Sequence, residues 1–462
     1  MSSSIQEHSL PNEIFKAYDI RGIVGKTLTP AIVERIGHAL GSEAFARQQT
    51  TICIGYDGRL SGPELADALS RGIRKAGINV INLGLVATPV VYFAAYHLQT
   101  NCGVMVTGSH NPPDYNGLKM VLNGDTLSGE AIQFLRQRIE NKDLITGKGT
   151  ESSYYIDDAY IAKISHHIKL ARSMQITVDC GNGVAGAFAK KLYEALGCEV
   201  QELFCEVDGH FPNHHPDPSV PENLTDLIDA LKTESEIGLA FDGDGDRLGV
   251  VTKDGNIIYP DRQLLLFAED VLKRQPNATI IYDVKSTRHL APWITARGGI
   301  PLMWKTGHSL IKAKMKETGA ALAGEMSGHT FFKERWYGFD DGLYAGARLL
   351  EILSQFDDPS AVLNALPESV STPEQHIHMH EGEPHALIAK LQQTAIFENA
   401  TVLTIDGLRV EYPDGFGLMR ASNTTPVIVL RFEADDAIAL KRIQDCFRSV
   451  ILAAAPHVTL PF

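Results

Sequence analysis

Cysteine is scarce, with six residues (Cys53, Cys102, Cys180, Cys198, Cys205 and Cys446) in a chain of 462 and no CxxC pair. Such usage excludes a disulfide scaffold and points to reduced thiols in a cytoplasmic protein. The opening MSSSIQEHSLPNEIFKAYDI has no apolar core of the kind a secretory signal needs. No apolar run approaches the roughly 18 residues of a spanning helix, so no membrane is expected. Positive charge is in deficit: 42 Lys and Arg stand against 56 Asp and Glu, a net charge of −14. That balance argues against binding nucleic acid or an anionic surface, and any site for an anion must be locally basic. With 44% apolar and 21% charged residues, disorder, collagen-like structure and coiled coil are excluded. At about 150 residues per domain the length predicts three or four domains.

An internal repeat organises most of the chain. TTICIGYDGR (50–59), MQITVDCGNG (174–183) and ATIIYDVKST (278–287) each read as a buried strand feeding a turn. A helical pattern and a second apolar strand follow in each: AGINVINLG (76–84), LGCEVQELF (196–204) and RGGIPLMW (297–304). A third strand then runs into a polar loop: NCGVMVTGSHNPP (101–113), IGLAFDGDGDR (237–247) and GAALAGEMSGH (319–329). Alternating strands and helices imply crossovers and mostly parallel sheets. The expected fold is α/β, with three related domains at 1–150, 151–256 and 257–368. Beyond PESVSTPE (367–374) the pattern changes to strands at 400–405, 408–412 and 426–434 and helices at 383–395 and 435–455. This predicts a smaller α+β domain at 369–462. In open parallel sheets ligands gather beyond the carboxyl ends of the strands, where the three polar loops lie. Packed around one central cleft, the domains would bring those loops together.

Four loops carry candidate chemistry. In FDGDGDRLG (241–249), Asp242, Asp244 and Asp246 alternate with glycine, so three hard oxygen donors can face one centre, which suits Mg²⁺. An EF-hand does not fit, because Arg247 holds the sixth position and Lys253 the twelfth. The alternative is an acidic surface turn. In TGSHNPPDYNGLKM (107–120), Ser109 ends an apolar strand in a loop stiffened by Pro112 and Pro113. Its hydroxyl is a nucleophile, a phosphate carrier or an ordinary turn residue. The hydrolase elbow GxSxG is not matched, and adjacent His110 is poorly placed by sequence to form a Ser–His pair. GEMSGH (324–329) offers Glu325, Ser327 and His329 two apart, a rim suited to hydroxyl-rich ligands or a polar turn. RASNTTP (420–426) sets Arg420 beside Ser422, Asn423, Thr424 and Thr425, the donor density a phosphate dianion requires or a solvated turn.

Three other motifs carry less. GNGVAG (181–186) matches GxGxxG, but the other repeats read YDGRLSG and YDVKSTR there, so it is a strand-to-helix turn rather than a dinucleotide site. HIHMH (376–380) places His376, His378 and His380 on one face of an extended segment, an exposed strand face more than a zinc site. ITGKGT (145–150) lacks the first glycine of a P-loop.

A metal loop, a strand-end serine, a polyol rim and a phosphate cradle, with the cations Arg21, Lys119, Arg247 and Lys285, together read as phosphoryl transfer on a sugar phosphate. FKAYDIRG, TGSHNPPDYNGLK, FDGDGDR, GEMSGH and RASNTTP occur here in one order across nearly the whole chain and resemble the α-D-phosphohexomutase family. Within it, GEMSGH with TGSHNPP most resembles the bacterial bifunctional phosphomannomutase/phosphoglucomutases, whose products feed exopolysaccharide and lipopolysaccharide synthesis.

The resemblance implies four domains around a deep cleft and interconversion of hexose 1-phosphate and hexose 6-phosphate through a hexose 1,6-bisphosphate. It implies that Ser109 is the phosphoserine and shares Mg²⁺ with Asp242, Asp244 and Asp246. Glu325 and Ser327 would bind the sugar, while Arg420, Ser422, Asn423 and Thr424 would grip the unreacting phosphate. Tyr18, Arg21, Lys119, Arg247, Lys285, His308 and His329 match positions around the reaction centre, with Lys119 or His329 moving the proton. The resemblance leaves the first dozen residues and HIHMH unexplained. Two rival readings are a Mg²⁺-dependent sugar phosphatase and a binding protein without catalysis. Four domains closing one cleft need no partner, so a monomer acting on small-molecule sugar phosphates is expected.

Overall fold

The computed structural model describes residues 10–233, 235–423 and 425–462. Two compact units are present. One runs through Ile258 and takes up Ser327–Asn364; the other comprises Tyr259–Met326 and Ala365–Phe462.

The first unit holds two mixed sheets. In the first, Gly103–Val106, Thr51–Tyr56, Asn79–Leu85 and Glu151–Ser153 run parallel, as the crossover pattern requires. Tyr115–Leu122 turns back antiparallel to Gly103–Val106 and pairs with Ile20–Ile23. Helices Pro30–Ala46 and Gly62–Lys75 cover this sheet. Thr29 caps the first of them by accepting from Ile32 N–H, and Pro30 supplies its first residue. Their close crossing depends on glycine, since a Cβ on Gly37 or Gly72 would strike the backbone of Leu69 or Glu34.

The second sheet repeats the plan. Glu199–Leu203, Gln175–Asp179 and Ile237–Phe241 are parallel, and Leu248–Thr252 turns back against Ile237–Phe241. Every residue of Ile237–Phe241 and Leu248–Thr252 is buried, as continuous apolar runs in covered sheets must be. Thus the serine loop and the aspartate loop occupy the same place in successive repeats, where a parallel strand turns into an antiparallel one.

The second unit contains the third repeat, with Ile300–Trp304, Thr279–Asp283 and Leu322–Gly324 in parallel. Its other part is an antiparallel meander of Thr401–Leu403, Leu408–Tyr412, Gly415–Ala421 and Val427–Ala434. Helices Glu383–Thr394 and Ala437–Ala454 pack on it. Asp436 caps the last helix, accepting from the N–H groups of Ile438 and Ala439. Gln375–His378 pairs along one side with Val427–Ala434, and His376 and His378 are exposed. Among the described residues these histidines join no group of potential metal ligands. Among the described residues no helix is long and apolar enough to cross a membrane.

Candidate active site

The aspartate loop is a hairpin loop closed by the pair Phe241 and Leu248. It caps itself: Asp242 Oδ1 accepts from the N–H groups of Asp246 and Arg247, both at 3.1 Å. Gly245, at φ +76°, supplies the left-handed step that no other residue type takes so easily. Asp242, Asp244 and Asp246 are all wholly buried, with an oxygen from each within 4.8 Å of the others. Three buried like charges are unstable alone. Burial, Asp244 and Asp246 push Asp242 well above the carboxylate range. Burial would raise Asp246 too, but Lys119 and His329 reverse it and hold that carboxyl well below the usual value. Lys119 Nζ donates to Asp244 Oδ2 at 2.7 Å and also to Asp246. Lys119 and Arg247 offset only two of the three charges, and Asp244 Oδ1 is buried without a hydrogen-bond partner. That arrangement fits a bound cation, and the trio can hold a metal ion.

Ser109 comes to this loop from the first sheet. Its hydroxyl donates to Asp242 Oδ2 at 3.1 Å, and the residue is 2% exposed. Its backbone is left-handed, φ +50°, a strained setting for a serine that the surroundings enforce. Three contacts do so. Ser109 N–H donates to Thr107 Oγ1 at 2.7 Å, and that hydroxyl donates to Asp57 Oδ2 at 2.6 Å. The Arg59 guanidinium, itself fully buried, donates to the carbonyls of Ser109 (2.8 Å), Tyr115 (2.9 Å), Asn111 and Pro112. Gly243 leaves no room for a Cβ because the Ser109 carbonyl lies there. Arg21 reaches the Gly108 carbonyl at 3.3 Å and also donates to Asn111 and Asp19.

The left-handed turn also brings His110 Nδ1 to 3.2 Å from Ser109 Oγ, a proximity the sequence argument set aside for adjacent residues. Desolvation and the neighbouring Arg247, Arg21 and Lys119 hold its pKa well below the ordinary histidine value, so the ring is neutral. On the other side of the trio, His329 Nε2 lies 3.3 Å from Asp246 Oδ1 and from Arg247 Nε, and its Nδ1 lies 3.0 Å from Ser327 Oγ. The backbone of 328–329 is stitched to 247–248, with Leu248 N–H donating to the Gly328 carbonyl at 3.2 Å. Tyr18 is half-buried in the turn before Ile20–Ile23.

In the second unit, Asp283 ends its strand and accepts from Ser286 Oγ (2.7 Å), Thr306 Oγ1 (2.9 Å) and Met326 N–H (3.2 Å). Glu325 accepts from Gly307 N–H, and His308 opens the helix that follows. Lys285 donates to Glu374. Arg420 Nε donates to Asp406 Oδ2 at 2.9 Å, and the same oxygen accepts from Thr306 N–H at 3.1 Å. Ser422 Oγ accepts from Thr425 N–H at 3.3 Å in an exposed turn. Thr424, expected in this cradle, lies outside the described residues.

Of the expected residues, Ser109, Arg21, Lys119, Asp242, Asp244, Asp246, Arg247, Ser327 and His329 come together in the first unit. Lys285, His308, Glu325, Arg420, Ser422 and Asn423 belong to the second. Sequence reasoning missed the carboxylates and cation behind them: Asp57 and Arg59 under the serine loop, Asp283 and Asp406 under the recognition loops. A signal was available, since an aspartate ends the first strand of every repeat.

Family models of phosphoglucomutase/phosphomannomutase match domain I at residues 12–146, domain II at 155–255, domain III at 259–370 and the C-terminal domain at 377–450. A phosphoglucomutase of Neisseria gonorrhoeae is 62% identical over 458 residues, covering 98% of this chain and 99% of the relative. A phosphomannomutase/phosphoglucomutase of Pseudomonas aeruginosa is 56% identical over 462 residues, covering all of both. A crystal structure of a phosphoglucomutase/phosphomannomutase family protein from Burkholderia thailandensis superposes with a TM-score of 0.94 at 59% identity, covering 98% of this chain and 100% of that one. With every domain model matched in order and relatives aligned end to end, the chain belongs to the phosphoglucomutase/phosphomannomutase family of phosphohexomutases.

Proposed function

We propose that the chain interconverts the 1- and 6-phosphates of glucose and mannose, with Ser109 as a reusable phosphoryl carrier. One observation supports this above the rest. A buried serine hydroxyl lies 3.1 Å from a trio of carboxylates that two cations leave under-compensated. In the first half-reaction the bond from phosphorus to Ser109 Oγ breaks as a bond to the open sugar hydroxyl forms. The proton of that hydroxyl passes to a base. In the second, the other phosphate of the hexose 1,6-bisphosphate returns to Ser109 Oγ and the proton goes to the departing sugar oxygen. We assign the proton to His329, because Lys119 is held as an ammonium: burial would lower its pKa, but Asp244 and Asp246, to which it donates, push it up, so it is a poor base.

Asp242, Asp244 and Asp246 would hold Mg²⁺, which when bound neutralises charge on the transferring oxygens. Arg247 and Arg21 supply further positive charge on the serine side. Glu325 and Ser327 would take the sugar hydroxyls. Arg420, Ser422, Asn423 and Thr424 would take the phosphate that is not reacting, with Tyr18, Lys285 and His308 lining its approach. A monomer in the cytoplasm completes the reading, which divides the chain at 150, 256 and 368.

Intact mass and a coupled assay on glucose 1-phosphate test it. The wild type carries one phosphoryl group and isomerises the substrate, whereas Ser109→Ala loses both, with turnover down by about 10³-fold or more. Mutase turnover surviving in the alanine variant, or inorganic phosphate released as fast as the isomer forms, overturns it.

A further inference from the structure

The segment 204–218 has no role in the reaction so far, yet it touches both halves of the centre. Two of its aromatic residues, Phe204 (φ +47°) and Phe211 (φ +50°), are left-handed, a conformation bulky residues adopt only when the fold enforces it. At one end the Phe211 ring lies 5.2 Å from the Arg59 guanidinium, the group that grips the serine loop. Gly209 approaches the Gly58 carbonyl and the Arg59 backbone too closely to carry a side chain. At the other end the Pro216 carbonyl accepts from Gly243 N–H at 3.1 Å, between two of the metal-loop aspartates. Gly243 is pinned again at its carbonyl, by Val184 N–H at 3.2 Å.

A half-buried His–Asp pair latches the segment. His214 Nε2 lies 3.1 Å from both oxygens of Asp179, and its Nδ1 lies 3.0 Å from the His215 carbonyl. A carbonyl only accepts, so Nδ1 carries a proton; a carboxylate also accepts, so Nε2 carries the other. The ring is therefore an imidazolium. Burial would lower its pKa, and Asp179 reverses the sign. Phe204 stands edge-on to the ring at 5.3 Å, and Asn182 adds bonds to the Glu206 carbonyl and Asn213, both at 2.8 Å.

We propose that segment 204–218, latched by Asp179 and His214, is a strap that sets Ser109 against the aspartate loop, making His214, Asp179 and Phe211 positioning residues for phosphoryl transfer. The inference rests on Ser109 being the phosphoryl carrier. A displacement of about 1 Å in a reacting group lowers turnover up to ~100-fold, whereas sugar recognition lies elsewhere.

The test compares the full-length enzyme with His214→Gln, Phe211→Leu and Phe211→Tyr. Turnover and KM for glucose 1-phosphate are measured, together with the Mg²⁺ concentration that half-saturates the rise in melting temperature. We expect kcat to fall roughly 10- to 100-fold in the first two variants with KM within about twofold, and the Mg²⁺ midpoint to rise several-fold. Phe211→Tyr keeps the ring and recovers most of kcat. The strap is overturned if both variants turn over within about twofold of wild type, or if only melting temperature falls. An inactive wild type overturns the functional reading instead, so the two failures are distinct.

Discussion

Asp57 and Asp179 hold the same position in successive repeats, each ending the first strand, yet they support different things. Asp57 reaches forward to the loop after the neighbouring strand, accepting from Thr107 Oγ1 at 2.6 Å and Gly108 N–H at 3.3 Å, and so holds the serine turn directly. Asp283, in the third repeat, does likewise for Thr306 and Met326. Asp179 does not reach the aspartate loop, which caps itself through Asp242. It takes His214 instead. The second repeat thus holds its loop through a self-cap and the proposed strap, which a His–Asp pair latches, where the first and third repeats use the strand-end aspartate directly.

The largest effect should come from removing the self-cap. Asp242→Ala deletes the acceptor for two backbone N–H groups, the partner of Ser109 and one of the oxygens proposed to hold the metal, together. Activity should fall by about 10³-fold or more, and Mg²⁺ should no longer raise the melting temperature. Activity within tenfold of wild type would show that the loop is braced from outside after all. Arg59→Lys comes next. It exchanges a planar fork for a point charge that cannot serve carbonyls at four positions, and the left-handed Ser109 turn should relax. Turnover should drop by ~100-fold with the fold intact by circular dichroism. Third, Asp57→Asn and Asp283→Asn should separate by kinetic parameter. The first should lower kcat roughly tenfold at constant KM, and the second should raise KM several-fold at nearly constant kcat. Identical behaviour would break the division of labour between the two repeats.

Much of this was legible in the sequence, for a physical reason. Strand-end loops such as FDGDGDR and TGSHNPP carry chemistry in contiguous residues, so the pattern survives without coordinates. The repeat was legible too, because buried parallel strands need continuous apolar runs such as IGLAF. What was not legible acts over long sequence distances. Arg59 lies 50 residues before the carbonyl it holds at Ser109, and Gly243 is pinned by Pro216 from another segment. The strand Gly415–Ala421 was also missed, because two glycines dilute its apolar pattern although every residue is buried. His110 was misjudged because sequence spacing does not reveal a left-handed turn.

A buried aspartate without a cation sharpens the comparison most finely. Asp341 accepts from Tyr160 Oη (2.9 Å), Trp336 Nε1 (3.1 Å) and Tyr344 N–H (2.9 Å), all neutral donors, and caps the helix Gly342–Leu353. Burial pushes its pKa up to about 7, the opposite direction from Asp246 beside Lys119. An acid whose pKa rises on folding binds its proton more tightly in the folded state. Its contribution to stability is therefore fully present below the unfolded value near 4 and is lost as pH rises to about 7. The slope is of order 1 kcal/mol per pH unit in that window. Asp341→Asn keeps the acceptor and removes the titration. Thermal unfolding at pH 5 and pH 7 should show the wild type losing a few degrees more than the variant between the two. Equal losses would mean that Asp341 is ionised at both pH values, and that three neutral donors hold a buried carboxylate as well as a lysine does.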